Sequence, residues 1–242
     1  LEYWPLKYWC DYKGRLVGSF SWIVQLVALQ IGDFRITFTK RTNLRIRAKN
    51  LHWIRNNTIL LPGLVNEDSD IEIDKSNERN DITFLGRLVD EKQPLFAISI
   101  VEQFIDRGWT GTFWLVGTGP EEAKIKQAID KCGKQNQIKF LVNASDQKIS
   151  EVFSTSFLLL HPSKREGYGL VCVEAAFKGL PSLLINYPEN GAVDLEINPN
   201  LVSATEDLIE ILTLMEYAEK NFQIESAQSM NWAIAALQTK TC

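Results

Sequence analysis

Two glutamates, Glu166 and Glu174, lie on either side of the predicted start of a helix. Gly167 and Gly169 fall in the loop between the first glutamate and Leu170, where an apolar helical pattern begins. Helix side chains tilt toward the N-terminus, so we expect the Glu174 carboxylate to lean toward the loop that carries Glu166. The N–H groups at such a helix start favour an anion such as phosphate, and carboxylates accept hydrogen bonds from neighbouring sugar hydroxyls. The pattern therefore predicts a site for a sugar nucleotide.

An ordinary solvated helix face is the alternative explanation, because charged residues most often mark such a face. Glu174, however, falls between Val173 and Ala175 in a helix that is otherwise apolar. A carboxylate in apolar surroundings is costly unless it is paired. We therefore favour a binding role for Glu174 over a purely solvated one.

Two cations, Arg87 and Lys92, follow another predicted strand at residues 82–85. Gly86 stands beside them and lets a ligand approach the main chain. In a parallel α/β sheet this loop opens at the carboxyl edge, as does the loop that carries Glu166. Taken alone, Arg87 would be assigned to a surface ion pair, and only the combination with the Glu166 loop favours a function.

The stretch from Pro162 to Ala175 has the pattern Pro-Ser-x-x-Glu-Gly-Tyr-Gly-Leu-Val-x-x-Glu-Ala, and Gly-Leu-Pro-Ser follows it. This pattern resembles the signature of the retaining GT-B glycosyltransferases. The Gly-Arg-Leu segment at residues 86–88, with Lys92, and the Gly-Thr-Gly-Pro turn at residues 117–120 are similar to further parts of the family pattern. The resemblance is strong over residues 82–187 and loose before residue 66. It implies an α/β fold of GT-B type, with two Rossmann-like domains of which the first is incomplete here.

The resemblance also implies roles for the matched residues. Arg87 and Lys92 would hold the donor diphosphate, whose charge grows as the glycosidic bond breaks. Glu166 and the main chain of residues 167–170 would hold the sugar and the β-phosphate, and Glu174 the ribose hydroxyls. The predicted catalytic residues are Glu166, Arg87 and Lys92, and the predicted substrate-binding residues are Gly86, Gly117, Gly119, Gly167, Tyr168, Gly169, Leu170 and Glu174.

Neither a metal nor a cofactor is expected, because in this family the leaving phosphate itself assists the acceptor. The Asp-Ser-Asp sequence at residues 68–70 is therefore interpreted as solvated. Gly117 and Gly119 fit a tight turn as well as a ligand contact. They do not form a dinucleotide fingerprint, because Glu122 stands where the third glycine would be.

Alternating strands and helices predict a doubly wound parallel sheet in the later part of the chain. Its predicted strands lie at residues 82–85, Phe113–Val116, 138–142, 157–160 and 183–185, and its predicted helices at 94–107, 120–132, 145–155, 170–178 and 206–220. The earlier part is predicted to have helices at residues 20–31 and 43–51 and strands at 34–39 and 58–61, after an irregular segment at 1–18.

Four segments follow from these patterns. Residues 1–65 resemble the end of an acceptor-side Rossmann-like domain, and residues 66–80 are an acidic linker. Residues 81–222 form the predicted nucleotide-sugar domain, and residues 223–242 a helix that returns toward the first domain. The chain begins with Leu1, which is typical of a fragment, so we expect turnover to need the missing N-terminal half or a partner chain.

Composition and charge limit the partners. The net charge of -4 argues against nucleic acid, and the four cysteines have no metal or disulfide spacing. Without a signal-peptide pattern, the predicted location is cytoplasmic. Seven basic residues and no acidic one occur between Phe34 and Val65, so we expect residues 35–55 to contact a membrane surface or an anionic acceptor peripherally. A solvated basic face is the alternative.

The resemblance implies a glycosyltransferase that moves a sugar, with retention, from a nucleoside-diphosphate donor to a carbohydrate or lipid-linked acceptor hydroxyl. Three alternatives stay open: a sugar-nucleotide 2-epimerase of the same fold, a non-catalytic binding module, and a structural or assembly subunit. His161 could be a catalytic base or a residue that ends a strand, and we favour the second role. His52, beside Trp53, is also interpreted as structural.

Overall fold

The computed structural model describes residues 4–31, 35–48, 58–60, 79–194, 201–204 and 206–222. The chain divides into two units, Leu1–Leu64 and Val65–Cys242, which are described separately below. The predicted linker lies outside the described residues up to residue 78, and the predicted final helix at 223–242 lies wholly outside them.

The described residues of the N-terminal unit form three helices and two short strands. They are α1 (Leu6–Lys13), α2 (Arg15–Ile31), β1 (Arg35–Thr37), α3 (Lys40–Ala48) and β2 (Thr58–Leu60). The two strands are parallel, with Arg35 opposite Thr58. Helix α3 begins before the predicted 43–51 helix, and β1 ends two residues before the predicted 34–39 strand does. All described residues of the predicted 58–61 strand belong to β2.

The prediction that residues 1–18 are irregular is wrong, because α1 and the start of α2 fall within this segment. The ring of Tyr8 lies 5.3 Å from that of Trp4 and is stacked on that of Tyr12 at 5.7 Å, between centroids. Aromatic side chains four residues apart meet on one helix face. This spacing was the overlooked helix signal.

The two faces of α2 differ. On one face, Gly18 lies so close to α1 that a Cβ there would come within 2.2 Å of the Trp9 carbonyl oxygen, and Leu29 packs on Ile46 of α3. On the other face apolar side chains are exposed: Leu16, Val17, Phe20, Ile23, Val24, Val27 and Ile31. Among the helices described, none combines the length and apolarity that crossing a bilayer requires.

Helix α3 carries four residues of the predicted basic region, namely Lys40, Arg41, Arg45 and Arg47. Residues 49–55 of that region lie outside the described part of the chain. The contact of this region with a membrane surface stays a prediction.

The C-terminal unit is built on a six-stranded sheet in which every strand is parallel to its neighbours. Its strands are β3 (Asp81–Leu85), β4 (Phe113–Val116), β5 (Ile138–Leu141), β6 (Ser156–His161), β8 (Ser182–Ile185) and β10 (Leu201–Ala204), in the spatial order β10-β8-β6-β3-β4-β5. A separate two-residue pair joins β7 (Arg165–Glu166) to β9 (Glu189–Asn190). The helices are α4 (Pro94–Asp106), α5 (Glu122–Cys132), α6 (Asp146–Thr155), α7 (Leu170–Phe177) and α8 (Leu208–Phe222).

Both faces of this sheet are covered. Strand β6 is buried along its whole length, and its successive leucines belong to different hydrophobic clusters. Leu158 and Leu160 pack in the cluster with Phe84 and Phe104, whereas Leu159 packs with Phe153. Strands buried on both faces have continuous apolar sequences, and the sequence shows this for β4, β6 and β8.

The predicted elements of this unit agree with the observed ones within two residues at each end. Strand β10 and the short pair β7–β9 were not predicted. The α/β, doubly wound parallel character of the unit is confirmed.

The order of the strands locates a crevice. Strand β3 comes first in this unit, β4 and β5 extend the sheet on one side of it, and β6, β8 and β10 extend it on the other. Ligands of open α/β sheets bind at the carboxyl ends of the strands where this direction reverses. Here that point lies between the ends of β3 and β6.

Candidate active site

The loops after β3 and β6 meet at this crevice through an ion pair. Lys92 ends a short 3-10 helix, Asp90–Lys92, and its Nζ pairs with Oε2 of Glu166. The Lys92 and Glu166 side chains are only 14% and 16% exposed. Two predicted catalytic residues, 74 positions apart in sequence, are therefore in direct contact.

His161 is a third member of this group. It ends β6, its side chain is 3% exposed, and its Nε2 lies 3.2 Å from Oε2 of Glu166. It does end a strand, as favoured above, but it also contacts a predicted catalytic carboxylate. His161 was not identified as a site residue from the sequence, although its position at the end of a buried strand next to the Glu166 loop was an available signal.

The surroundings of Glu166 fix its charge. Burial raises the pKa of the carboxyl group, but the hydrogen bond and charge of His161 and the charge and hydrogen bond of Lys92 outweigh burial. The net result is a pKa lowered to about 2. The carboxylate is therefore ionised at neutral pH and acts only as a hydrogen-bond acceptor.

Arg165 ties three loops together at this edge. Its guanidinium pairs with Glu91 on the β3 loop and, at 2.9 Å, with Glu189 after β8. The main-chain N–H of Lys164 donates to the Glu91 carbonyl at 2.8 Å. Since Lys92 and Glu166 directly follow Glu91 and Arg165, these contacts hold the ion pair in place from both sides.

Gln93 adds a further link. Its backbone is left-handed, with φ of 54°, and its side-chain amide lies 2.9 Å from the Tyr187 hydroxyl. A left-handed backbone is costly for a residue with a side chain, so the surrounding contacts must stabilise it. Gln93 thus fixes the direction in which the chain leaves Lys92 and enters α4.

The start of α7 has a conformation that only glycine adopts easily. Gly169 precedes the helix with φ of 86°, and its carbonyl accepts from the Cys172 N–H at 2.9 Å. Leu170 is 52% exposed at the first position of the helix. Tyr168 is 7% exposed and packs in the cluster of Phe153, so any ligand contact of residue 168 would use its main chain.

Replacing Gly169 with alanine should lower the free energy of unfolding by about 2–3 kcal/mol. The new Cβ would combine the cost of positive φ with a 2.6 Å approach to the Ala192 Cβ. Gly133→Ala is the matched control, because Gly133 also has positive φ, at 70°, but no atom lies within 4 Å of its Cβ position. Urea unfolding should show a clearly smaller loss for Gly133→Ala, and equal losses would contradict the close packing at Gly169.

Glu174 stands apart from the ion pair. Its side chain is exposed, but the part of it that is removed from water raises the pKa of the carboxyl group. The positive charge of Lys178, directly after α7, lowers this pKa, and the negative charge of Asp146 raises it further. The charges that act most on Glu174 are thus not those of Arg87 or Lys92. That Glu174 and Glu166 face one ligand stays a prediction.

The remaining predicted residues surround the ends of β3 and β4. Arg87 is exposed, and its guanidinium makes no hydrogen bond or ion pair within the described ranges, while its main-chain carbonyl accepts from the Val89 N–H at 3.0 Å. A Cβ on Gly117 would come within 1.9 Å of the Gly86 carbonyl oxygen, and one on Gly119 within 2.4 Å of the Leu88 carbonyl oxygen. Close packing of the two loops is therefore a sufficient reason for both glycines. Gly167 lies half-buried between Glu166 and the start of α7.

Metal binding finds no support in the part of the chain that the structure describes. Its His, Cys, Asp and Glu side chains form no group of three or more that could hold an ion.

Comparison with known proteins decides the family. The family model described as "Glycosyl transferases group 1" matches residues 65–213, which is more than half of the chain and includes the whole Lys92–Glu166 region. The chain belongs to the group 1 glycosyltransferases.

Two curated relatives show how this glycosyltransferase domain compares. It is 30% identical over 132 residues to a 2-deoxystreptamine glucosyltransferase of Streptomyces kanamyceticus, covering 54% of this chain and 34% of the relative. It is 24% identical over 179 residues to a phosphatidylinositol N-acetylglucosaminyltransferase GPI3 subunit of Saccharomyces cerevisiae, covering 68% of this chain and 38% of the relative. The chain thus spans about a third of the length of these relatives.

Solved structures confirm the GT-B type of the fold. The pneumococcal O-GlcNAc transferase GtfA, in complex with UDP and GlcNAc, superposes with a TM-score of 0.67 at 22% identity, over 89% of this glycosyltransferase chain and 44% of GtfA. Sucrose-phosphate synthase from Thermosynechococcus elongatus also has a TM-score of 0.67, at 17% identity, over 98% of this chain and 64% of that one. At these identities the likeness shows the fold alone.

Proposed function

We propose that this chain carries the nucleotide-sugar site of a retaining glycosyltransferase, which moves a sugar from a nucleoside diphosphate to an acceptor hydroxyl. The observation that carries the proposal is the buried contact of Lys92 and His161 with Glu166. This contact places a cation beside an ionised carboxylate at the point between β3 and β6 where the strand order changes direction, next to the start of α7. A donor with a diphosphate and a sugar needs these two kinds of group side by side.

Each group has a part in the proposed reaction. Lys92 and the exposed Arg87 bind the diphosphate and stabilise the charge that it gains as the glycosidic bond breaks. Charge-assisted hydrogen bonds of this kind contribute about 1.5–3 kcal/mol each. Glu166 accepts hydrogen bonds from the sugar, and the N–H groups at the start of α7 bind the β-phosphate.

Glu174 binds the ribose in this proposal. Its exposure leaves the carboxylate open to a ligand, and its raised pKa is compatible with a carboxylate that gains hydrogen bonds on binding. Gly86, Gly117 and Gly119 place no side chain in the loops after β3 and β4, so that a nucleotide can approach the main chain of these loops. Retention follows if the departing phosphate assists the incoming hydroxyl on the same face of the sugar.

The first donors to test are UDP-linked hexoses. The GtfA structure contains UDP and GlcNAc, and a HepE structure from Anabaena contains UDP and glucose. We extend this chemistry to the present chain as part of the proposal. Since this chain covers only 34% of the length of the Streptomyces kanamyceticus relative, transfer to an acceptor is proposed for a longer protein that includes this unit.

Calorimetric titration of this chain with UDP, GDP and ADP tests the site. We expect saturable binding of one diphosphate, weakened at least tenfold, or about 1.4 kcal/mol, by Glu174→Ala. Glu151→Ala is the matched control, because Glu151 is a 53% exposed glutamate of α6 to which no ligand contact is assigned. A chain shown to be folded that binds none of the three would sink the proposal that this unit is a donor site by itself.

Further assays separate the alternatives. Release of free nucleotide from a UDP-hexose with no acceptor present would favour an epimerase. Donor binding without transfer by the complete protein would favour a non-catalytic module, and absence of nucleotide binding a structural subunit.

A further inference from the structure

The two side chains that donate hydrogen bonds to the Glu166 carboxylate contact the same oxygen atom. Lys92 Nζ and His161 Nε2 both contact Oε2. Oε1 has no hydrogen-bond partner in the described part of the chain. Since each carboxylate oxygen accepts about two hydrogen bonds, Oε2 is filled and Oε1 keeps its full capacity.

The side chains of His161 and Lys92 differ in how rigidly they are held. His161 belongs to β6, is paired in register with Leu184 of β8, and is 3% exposed, so the strand and the surrounding packing restrict the movement of its ring. Lys92 is a flexible four-carbon chain with three N–H donors, which a phosphate can recruit. When a diphosphate draws on Lys92, His161 remains as the fixed contact of Glu166.

The proton on His161 follows from its partner. An ionised carboxylate only accepts hydrogen bonds, and Glu166 is ionised, so Nε2 of His161 must carry the hydrogen in this contact. A side chain without an N–H at this point would leave Lys92 as the sole side-chain partner of Oε2 among the described residues.

We propose that His161 is a positioning residue, which holds Oε2 of Glu166 so that Oε1 faces a hydroxyl of the donor sugar. This inference rests on the proposed donor site. It adds which residue orients the Glu166 carboxylate, the hydrogen-bond acceptor for the donor sugar. His161 does not touch the substrate. It acts through Glu166, and its effect is confined to the sugar half of the donor.

The distinguishing measurement is the affinity for UDP-glucose and UDP-GlcNAc relative to the affinity for UDP. His161→Leu should weaken binding of the better UDP-hexose about tenfold, or about 1.4 kcal/mol, and change UDP binding less than about twofold. His161→Gln keeps an N–H donor and should restore most of the sugar-specific affinity. Glu166→Gln should lose the same selectivity, and adding His161→Leu to it should have no further effect.

Several outcomes would overturn the inference. Equal weakening of UDP and UDP-hexose binding by His161→Leu would show a merely structural role, and failure of His161→Gln to improve on His161→Leu would show that the hydrogen bond is irrelevant. If His161→Leu does not fold, His161→Asn, which is polar but too short to reach Oε2, takes its place with the same expected result. Absence of nucleotide binding by the unaltered chain is a different result, because it rejects the donor site itself.

Discussion

Lys92→Met is expected to lower the free energy of unfolding by about 3 kcal/mol and to weaken diphosphate binding about 100-fold. The stability loss arises because Glu166, only 16% exposed, would keep its charge in a partly buried place without its cation. The binding loss arises because the variant removes the cation nearest to the predicted diphosphate. Urea unfolding followed by tryptophan fluorescence measures the first, and calorimetry with the bound nucleotide the second.

Two comparisons make this result specific. Arg107→Met removes the cation of an ion pair with Glu216 in which the two side chains are 42% and 37% exposed, so it leaves no buried charge and should cost less than about 1 kcal/mol. The double variant Lys92→Met with Glu166→Gln should be more stable than Lys92→Met alone, because no buried charge is left unpaired. If the double variant were no more stable, the unpaired carboxylate would not be the cause.

Stability below pH 5 should depend on Glu166 more than on any exposed glutamate. Its pKa falls from 4.5 in the unfolded chain to about 2 in the folded protein, so its ionised form contributes stability above pH 4.5. This contribution, about 3 kcal/mol, is lost as the pH falls from 4.5 through 2. Glu166→Gln removes the titrating group, and the variant should therefore lose less stability over this range than the unaltered chain.

The measurement is a series of urea unfolding curves between pH 6 and pH 2.5. Glu151→Gln serves as the control, because Glu151 is 53% exposed and its curve should follow that of the unaltered chain. Parallel curves for Glu166→Gln and the unaltered chain would contradict the lowered pKa of Glu166.

Strand positions could be predicted well where burial leaves a continuous apolar sequence. Strands β6 and β8 are buried on both faces, and such sequences are distinct from their surroundings. Strand β10 has the sequence Leu-Val-Ser-Ala, which is half polar or small and gives no such contrast. The β7–β9 pair has two residues in each strand, and nothing local connects Arg165 with Glu189.

Site residues could be identified by type, but their contacts could not. The motif pointed to Glu166 and to Lys92, because glycines and charges follow the ends of predicted strands. That Lys92 pairs with Glu166 depends on how the β3 and β6 loops are tied by Arg165 and Glu91, which the sequence does not show. His161 was missed as a site residue because its position at a strand end indicates closeness to the Glu166 loop but not the contact with Oε2 of Glu166, which depends on the fold.

The order of strands in the C-terminal unit also has a consequence for how the chain folds. Strand β3 is made first on the ribosome but lies in the middle of the sheet, where Asp81 is opposite Ser156 of β6. Until β6 is made, β3 has one unpaired edge, and such an edge can pair with another chain. Parallel sheets assembled from distant segments also form slowly. The arrangement that creates the crevice therefore leaves the nascent protein open to aggregation until most of the C-terminal unit has been synthesised.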